Sequence, residues 1–191
     1  MRGQNTVTPS AESLTASINA VKTRGLPPVH LWNPPFCGDL DMRIARDGTW
    51  FYQGTPIGRP GLVKLFSTIL KKEKGKYFLV TPVEKVGIVV DDAPFVAVDF
   101  DVTGSGINQV LTFHTQVDDI AVASETLPLR VERDAETGEP SPYVLIRANL
   151  EALIDRKSFY RLVDLGVHHE DWFGLWSSGR FFPIIPSAEL P

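Results

Sequence analysis

The sequence is poor in cysteine and in long hydrophobic runs. Cys37 is the only cysteine among 191 residues, which excludes an intramolecular disulfide and a cysteine-based zinc or iron–sulfur centre within one chain. No apolar stretch approaches the roughly 18 residues of a transmembrane helix, and no signal-peptide core stands near the start. We therefore expect a cytoplasmic protein rather than a secreted or membrane-spanning one.

An excess of positive charge is also missing. The chain has 19 Lys and Arg residues against 23 Asp and Glu residues, which gives a net charge of -4. This balance lacks the basic surface typical of proteins that bind duplex nucleic acid or anionic membranes, so we expect neither partner. Apolar residues at 43% indicate a globular core, and 15 glycines with 15 prolines indicate many turns, which excludes a plain helix bundle.

The first half of the chain predicts two helices around a β-hairpin. Ser10 or Ser13, after a polar tail over residues 1–9, caps a predicted helix whose apolar residues are spaced as on one face. Asp47-Gly48, between alternating residues, is a strong signal for a hairpin turn. Pro60 begins a second predicted helix. Its apolar face consists of Leu62, Leu65, Phe66, Ile69 and Leu70.

From Lys85 onwards the pattern changes to successive short strands. Turn signals such as Asp91-Asp92 separate these strands, and their spacing predicts an antiparallel meander. Asn149 then caps a predicted helix that carries Leu150, Leu153 and Ile154. The aromatic segment Asp171–Ile185 is predicted to form a C-terminal hairpin.

A short internal repeat indicates two related halves. Met42–Asp47 recurs as Leu129–Asp134, 87 residues later, and each copy precedes a predicted second strand and helix. Chance similarity between two ordinary hairpin–helix units is the alternative. We therefore predict an α+β protein with an N-terminal α+β domain over residues 1–83 and a C-terminal domain over residues 84–191.

Several segments, in order along the chain, resemble an uncharacterised bacterial family that is catalogued only as a domain of unknown function. They are Leu31–Gly38, Asp47–Gly54, Pro56–Arg59, Thr81–Lys85, Asp92–Phe95 and Arg147–Ile154. The resemblance implies a duplicated architecture, a C-terminal half similar to the antiparallel pleckstrin-homology barrel with its helix, and a cleft between the halves that binds a nucleotide-like ligand in signal transduction. It implies no catalytic activity. An acidic turn, Asp91-Asp92, stands where phosphoinositide-binding pleckstrin domains carry a basic loop.

The loop Gly54–Gly61 is a candidate anion site. It leads into a predicted helix N-terminus, where free N–H groups favour anions, and Arg59 offers a bidentate contact to phosphate. Trp50 and Tyr52 alternate on the preceding strand, so both rings lie on one side of it and could stack a base. The alternatives are that the glycines only shape the turn and that both rings belong to the hydrophobic face of a small sheet.

These observations predict a non-enzymatic module that needs no cofactor and binds a phosphate-bearing ligand between its halves. In this hypothesis Glu84, Lys85 and Arg147, near the junction, orient the ligand. One alternative is a protein-interaction module that uses the hairpin Trp172–Phe182 as its contact surface. Another is a metal-assisted hydrolase, for which alternating carboxylates supply oxygen ligands. Its candidate ligands are Asp39, Asp41, Asp99 and Asp101.

Overall fold

The computed structural model describes residues 8–21 and 24–191, so most of the predicted polar tail lies outside the described residues. Within these ranges the protein is α+β, with three α-helices, two six-stranded mixed sheets and one three-stranded sheet. The chain divides into two compact units. The first comprises the residues up to Ala45 together with Thr49–Asp91, and the second comprises Arg46–Gly48 and Asp92–Pro191.

The first unit contains two helices and one six-stranded sheet. Its elements are α1 (Ala11–Ala20), β1 (Phe36–Ile44), β2 (Trp50–Tyr52), β3 (Thr55–Pro56), α2 (Pro60–Ser67), β4 (Leu70–Glu73), β5 (Lys76–Val80) and β6 (Lys85–Val90). The sheet order is β3-β2-β1-β6-β5-β4. Only the central pair, β1 with β6, is parallel in this sheet.

The second unit contains one helix and two sheets. Its elements are β7 (Phe95–Thr103), β8 (Val110–Thr115), β9 (Ile120–Val122), β10 (Leu129–Arg133), β11 (Pro140–Arg147), β12 (Leu150–Ile154), α3 (Arg156–Val163), β13 (Val167–His169), β14 (Trp172–Ser177) and β15 (Arg180–Pro186). The larger sheet has the order β10-β11-β12-β7-β8-β9, and the smaller has the order β13-β14-β15.

Both six-stranded sheets have the same strand order. In each, two antiparallel three-stranded meanders meet at a parallel pair between the first and sixth strands, β1 with β6 and β7 with β12. The strand β6, which was expected to begin the C-terminal half, therefore completes the first sheet, and the second sheet is mixed rather than antiparallel. The counterpart of β1 is β7, whereas the six-residue repeat aligned β1 with β10, so that alignment was wrong.

The predicted helix after Asn149 is a strand instead. Ala148, at φ +48°, makes the tight turn between β11 and β12. Leu150, Ala152 and Ile154 then alternate as buried residues, the two-residue period of a strand. The helix begins only after Asp155, whose side chain accepts a hydrogen bond of 2.8 Å from the backbone N–H of Ser158.

The two predicted N-terminal helices are present, although the second is shorter than expected. Ser10 caps α1 through a capping box, and Pro60 occupies the first turn of α2. The helix α2 ends at Ser67, because Leu70 starts β4 and pairs with Leu79 of β5. Strand pairing in the sheet thus prevails over the helical spacing of Leu70.

The small sheet is held to the larger sheet of the second unit by a buried serine. The Ser177 hydroxyl donates to the carbonyl oxygen of Ala123 at 2.7 Å and accepts from the N–H of Leu111 at 3.0 Å. The side chain of Gln109 adds a bond of 2.9 Å to the carbonyl oxygen of Trp176. One face of β14, with Leu175 and Ser177 fully buried, is therefore fixed against β8.

Substitution by alanine at Gly174 and at Gly61 is expected to change the free energy of unfolding in opposite directions. A Cβ at Gly174 would overlap the carbonyl oxygen of Phe182 and lie 2.8 Å from the Phe181 ring, whereas a Cβ at Gly61 in α2 meets no atom within 4 Å. We expect Gly174→Ala to lower the free energy of unfolding by about 2 kcal/mol through this overlap. Gly61→Ala should raise it by about 0.5 kcal/mol, because alanine restricts the unfolded chain. Urea denaturation measures the free energy of unfolding of each variant. If Gly174→Ala were as stable as the parent protein, the packing described for β14 and β15 would be contradicted.

Candidate functional site

The second unit contains a cleft of about 360 Å³ at the start of α3. It is bounded by the Arg46 hairpin tip, the start of β11, the end of β12 and the first turns of α3. The lining residues are Arg46, Glu139, Pro140, Pro142, Leu153, Ile154, Asp155, Arg156, Phe159 and Tyr160. We refer to this set as the cleft.

One wall of the cleft is apolar and aromatic. Phe159 is 8% exposed and anchors α3 in the core, whereas Tyr160, the next residue, is 62% exposed. The change follows from the helix, because consecutive residues point about 100° apart around its axis. Pro140 and Leu153 extend the apolar surface from the two strands. The Tyr160 ring is thus available to a planar ligand.

Two arginines provide positive charge at the cleft. Arg46 donates to the Ser141 hydroxyl at 3.0 Å and lies 3.4 Å from an Asp92 carboxylate oxygen. Arg156 donates to Glu139 at 2.8 Å. The two arginine side chains are 61% and 72% exposed. The Arg156–Glu139 pair is exposed on both sides and contributes little energy, so Arg156 can exchange Glu139 for an anionic ligand, whereas Arg46 keeps its contact with Asp92 and offers its remaining N–H groups.

Asp92, the carboxylate beside Arg46, is itself held by a second hydrogen bond. The other Asp92 carboxylate oxygen accepts a 2.7 Å hydrogen bond from the Tyr143 hydroxyl. Burial, and then this bond to Asp92, raises the pKa of Tyr143 to about 12, so Tyr143 stays protonated and continues to donate. Gly48, at φ +90°, lets the hairpin tip pass close to Val96, whose side chain would lie 3.0 Å from a Cβ at this position.

The structure buries Trp50 and leaves Tyr52 partly exposed. Trp50 is 2% exposed, and its indole stacks on Phe66 of α2 with ring centroids 6.4 Å apart. The Tyr52 hydroxyl accepts a bond of 3.4 Å from the N–H of Ala11 and so contacts α1. Both rings do lie on one side of β2, as alternation predicted, but that side is the core side. Trp50 therefore has a packing role and cannot stack a base, whereas a ligand contact by Tyr52 stays a prediction.

Two of the other predicted ligand residues, Glu84 and Lys85, already have partners within the first unit. Glu84 is 6% exposed and accepts from the Ser13 hydroxyl at 3.4 Å. Lys85 donates to Glu73 at 3.1 Å. Arg59 is exposed at the N-cap position of α2, where its side chain makes no capping bond. Arg59 remains the predicted residue with a side chain directed to solvent beside a helix N-terminus.

Arg147 belongs to the second unit and has a structural partner there. Its Nε lies 3.5 Å from the Asp119 carboxylate, and both side chains are about one-fifth exposed, at 18% and 21%. The Arg147 guanidinium also stands 5.2 Å from the centre of the Phe95 ring. Burial lowers the pKa of Arg147, and Asp119 opposes that effect. These contacts join β11 to the turn before β9.

The carboxylates considered for a metal site do not converge. Asp39 and Asp41 lie on the exposed face of β1. The Arg161 guanidinium binds Asp99 and holds the pKa of that carboxyl below its usual range. Asp101 lies 2.6 Å from His114. Residues 8–21 and 24–191 contain no group of three or more His, Cys, Asp or Glu side chains arranged to hold a metal ion.

Sequence reasoning missed Arg46, Arg156 and Tyr160. The only local signal was the Asp47-Gly48 turn, which places Arg46 at the tip of a hairpin. Arg156 and Tyr160 lie on α3, which begins six residues later than the helix predicted after Asn149. No helix in the described part of the chain is long and apolar enough to cross a membrane.

Comparison with known proteins places this chain in a family. One family model, described as "Domain of unknown function (DUF1285), N-terminal domain", matches residues 27–93. A second, "Protein of unknown function (DUF1285), C-terminal domain", matches residues 94–184. The chain belongs to the DUF1285 family. The helix α1 precedes the matched part of this DUF1285 protein, and a search of curated proteins gave no match.

Two solved structures are similar to this DUF1285 protein. A DUF1285 family protein from Silicibacter pomeroyi DSS-3 is 68% identical, with a TM-score of 0.87, and the match covers 92% of this chain and 96% of that chain. A DUF1285 family protein from Shewanella baltica OS155 is 27% identical, with a TM-score of 0.51. That match covers 65% of this chain and 91% of the other. The first match extends the family assignment over nearly the whole chain.

The contact between Lys85 and Glu73 predicts a pH-dependent stability. Hydrogen bonds from Lys71, and then Lys85, hold the pKa of the Glu73 carboxyl below its ordinary value of 4.5. This stabilisation is complete above that ordinary value and is lost as the pH falls through the lowered pKa. We expect Glu73→Gln to be about 0.5 kcal/mol less stable than the parent at neutral pH, because the site is partly screened by solvent.

Urea denaturation at neutral and acidic pH measures this difference, which should shrink as the medium becomes acidic. Glu136→Gln, an exposed position in the turn before β11, is the matched control and should leave stability unchanged. If the stability difference between Glu73→Gln and the parent protein instead increased in acid, Lys85 would not be held by this carboxylate.

Proposed function

We propose that this DUF1285 protein is a binding module that holds a small phosphate-bearing ligand in the cleft of its second unit. The observation that carries the proposal is the combination of two exposed guanidinium groups, Arg46 and Arg156, with the exposed ring of Tyr160 at one concave site. Arginine binds phosphate through paired N–H donors, and an aromatic ring offers a face to a planar group. A nucleotide-like ligand carries both chemical groups.

The dimensions of the cleft support a small ligand. Its volume of about 360 Å³ lies at the lower end of the range for small-molecule sites, roughly 300–1,000 Å³. The mixed lining also fits, because apolar walls supply contact area while a few polar groups fix orientation. A mononucleotide or a sugar phosphate is therefore a better match in size than a dinucleotide.

The acidic side chains of the cleft are already engaged. Asp155 caps α3 at Ser158, and Glu139 pairs with Arg156. Because the Glu139–Arg156 pair is exposed, an incoming phosphate can replace Glu139 at little cost. The ligand would then join the turn before β11 to the first turn of α3. We propose that this occupancy, rather than turnover of the ligand, is the functional event in signalling.

We further propose that the second unit is related to the pleckstrin-homology fold. The meanders β7-β8-β9 and β10-β11-β12, followed directly by α3, support this relationship. The parallel pair between β7 and β12 is a departure from an antiparallel barrel. The proposed ligand site lies at α3 rather than at the acidic turn where pleckstrin domains that bind phosphoinositides are basic.

Isothermal titration calorimetry with nucleoside mono- and triphosphates tests the cleft. We expect Arg46→Ala and Arg156→Ala each to weaken binding about tenfold, since each removes a charge-assisted hydrogen bond. Tyr160→Ala should weaken purine nucleotides more than inorganic phosphate, because only the nucleotides stack on the ring.

Arg59→Ala is the matched control, because Arg59 is an exposed arginine of the first unit. It should bind nucleotides as the parent protein does. Loss of binding in Arg59→Ala with normal binding in Arg46→Ala would place the ligand at α2 and contradict the proposal. Absence of any heat change across the nucleotide panel would also contradict it.

A further inference from the structure

The outer face of the small sheet exposes a group of aromatic side chains. The sheet β13-β14-β15 turns Ser177 and Leu175 towards the larger sheet, so Trp172 and Trp176 lie on the opposite side of β14. We call this side the aromatic face. It consists of His169, Trp172, Trp176, Phe181 and Pro183.

Three rings of the aromatic face, those of His169, Trp176 and Phe181, are fixed by one another. The His169 ring lies 4.9 Å from Trp176 and 5.0 Å from Phe181, and Trp176 lies 5.4 Å from Phe181, measured between ring centroids. All three pairs meet at interplanar angles of 57–62°, in the tilted and edge-to-face range that aromatic pairs favour. Such a surface loses little side-chain freedom when a partner binds.

Much of this surface remains open to solvent. Trp172 is 43% exposed, the His169 side chain is 41% exposed, and Pro183 is exposed on the adjacent strand. In register, Trp172 stands opposite His169, and Trp176 stands opposite Phe181, so the rings line the sheet from end to end. Exposed tryptophan on a rigid strand is typical of a contact surface rather than of a core.

The turn beside Trp172 carries negative charge. Glu170 and Asp171 form this turn, and the Glu170 side chain is 85% exposed, 3.9 Å from the imidazole of His169. At the other end of β14, Arg180 at the start of β15 is paired with Glu125 at 3.2 Å. A partner lying along the sheet therefore meets a carboxylate pair at the Trp172 end, which is complementary to a basic residue.

We propose that the aromatic face binds a proline-rich segment of another protein, with a Lys or Arg of that segment against Glu170 and Asp171. Aromatic surfaces recognise proline-rich segments because the polyproline II helix is already ordered and its rings stack on flat side chains. The carboxylates fix the direction of the bound segment. This surface is independent of the cleft, whose lining shares no residue with it.

Fluorescence anisotropy with a labelled peptide tests this site on the full chain. The peptide is about ten residues long, roughly three turns of polyproline II helix, and carries prolines with arginine at one end. We expect saturable binding that Trp172→Ala weakens at least about tenfold, as for a central aromatic contact. Glu170→Lys, a change at an exposed position, should weaken binding and reduce its dependence on salt.

Two controls separate this site from a non-specific hydrophobic surface. Tyr160→Ala removes another exposed aromatic residue of the second unit and should leave peptide binding unchanged. A peptide with alanine in place of every proline should not bind. Equal binding of the alanine peptide, no binding of the proline peptide, or normal affinity in a Trp172→Ala protein with the parent circular dichroism spectrum would overturn the proposal.

Discussion

The parallel pairing of the first and sixth strands is the constraint on which each six-stranded sheet depends. Ile44 lies beside Val90 in the first unit, and Ile154 lies beside Ala97 in the second. Without this pair each sheet would be two separate meanders. A parallel pair also requires the chain to cross between the sheet edges, so local turns alone cannot build it. In the second unit, the N–H of Asp155 continues the pairing with a bond of 3.0 Å to the carbonyl oxygen of Ala97, directly before α3. The strand pairing thereby sets where α3 begins and where the cleft residues on it lie.

Local sequence patterns predicted the elements that local interactions determine. The Asp47-Gly48 hairpin turn and the helix starts at Ser10 and Pro60 depend on turn and capping chemistry within a few residues. The segment Leu150–Ile154 could not be assigned this way, because its short apolar run fits a helix and a strand equally well. Its pairing with β7 and β11 decides the outcome. Long-range pairing also assigns β6 to the first sheet, because its partners β1 and β5 belong to the first unit.

Local sequence patterns also do not show where the side chains of the candidate site lie in the fold. Alternation correctly placed Trp50 and Tyr52 on one side of a strand, but it does not reveal which side faces the core, and α2 covers that side. Arg46 and Arg156 are far apart in sequence and meet at one cleft only through the fold. The N-terminal and C-terminal DUF1285 models match adjacent parts of this chain, over residues 27–93 and 94–184. The chemistry of the second unit, with guanidinium groups at the cleft and rings on the small sheet, favours binding at two separate surfaces.

The most direct test of the central claim, that the second unit binds a phosphate-bearing ligand at α3, is a map of amide chemical shifts in the ¹⁵N-labelled protein during a nucleotide titration. The account predicts that the largest changes fall on Arg46, on residues 139–143 and on residues 153–160, with the same midpoint for all of them. Changes confined to residues 54–62, or none at saturating nucleotide, would contradict it.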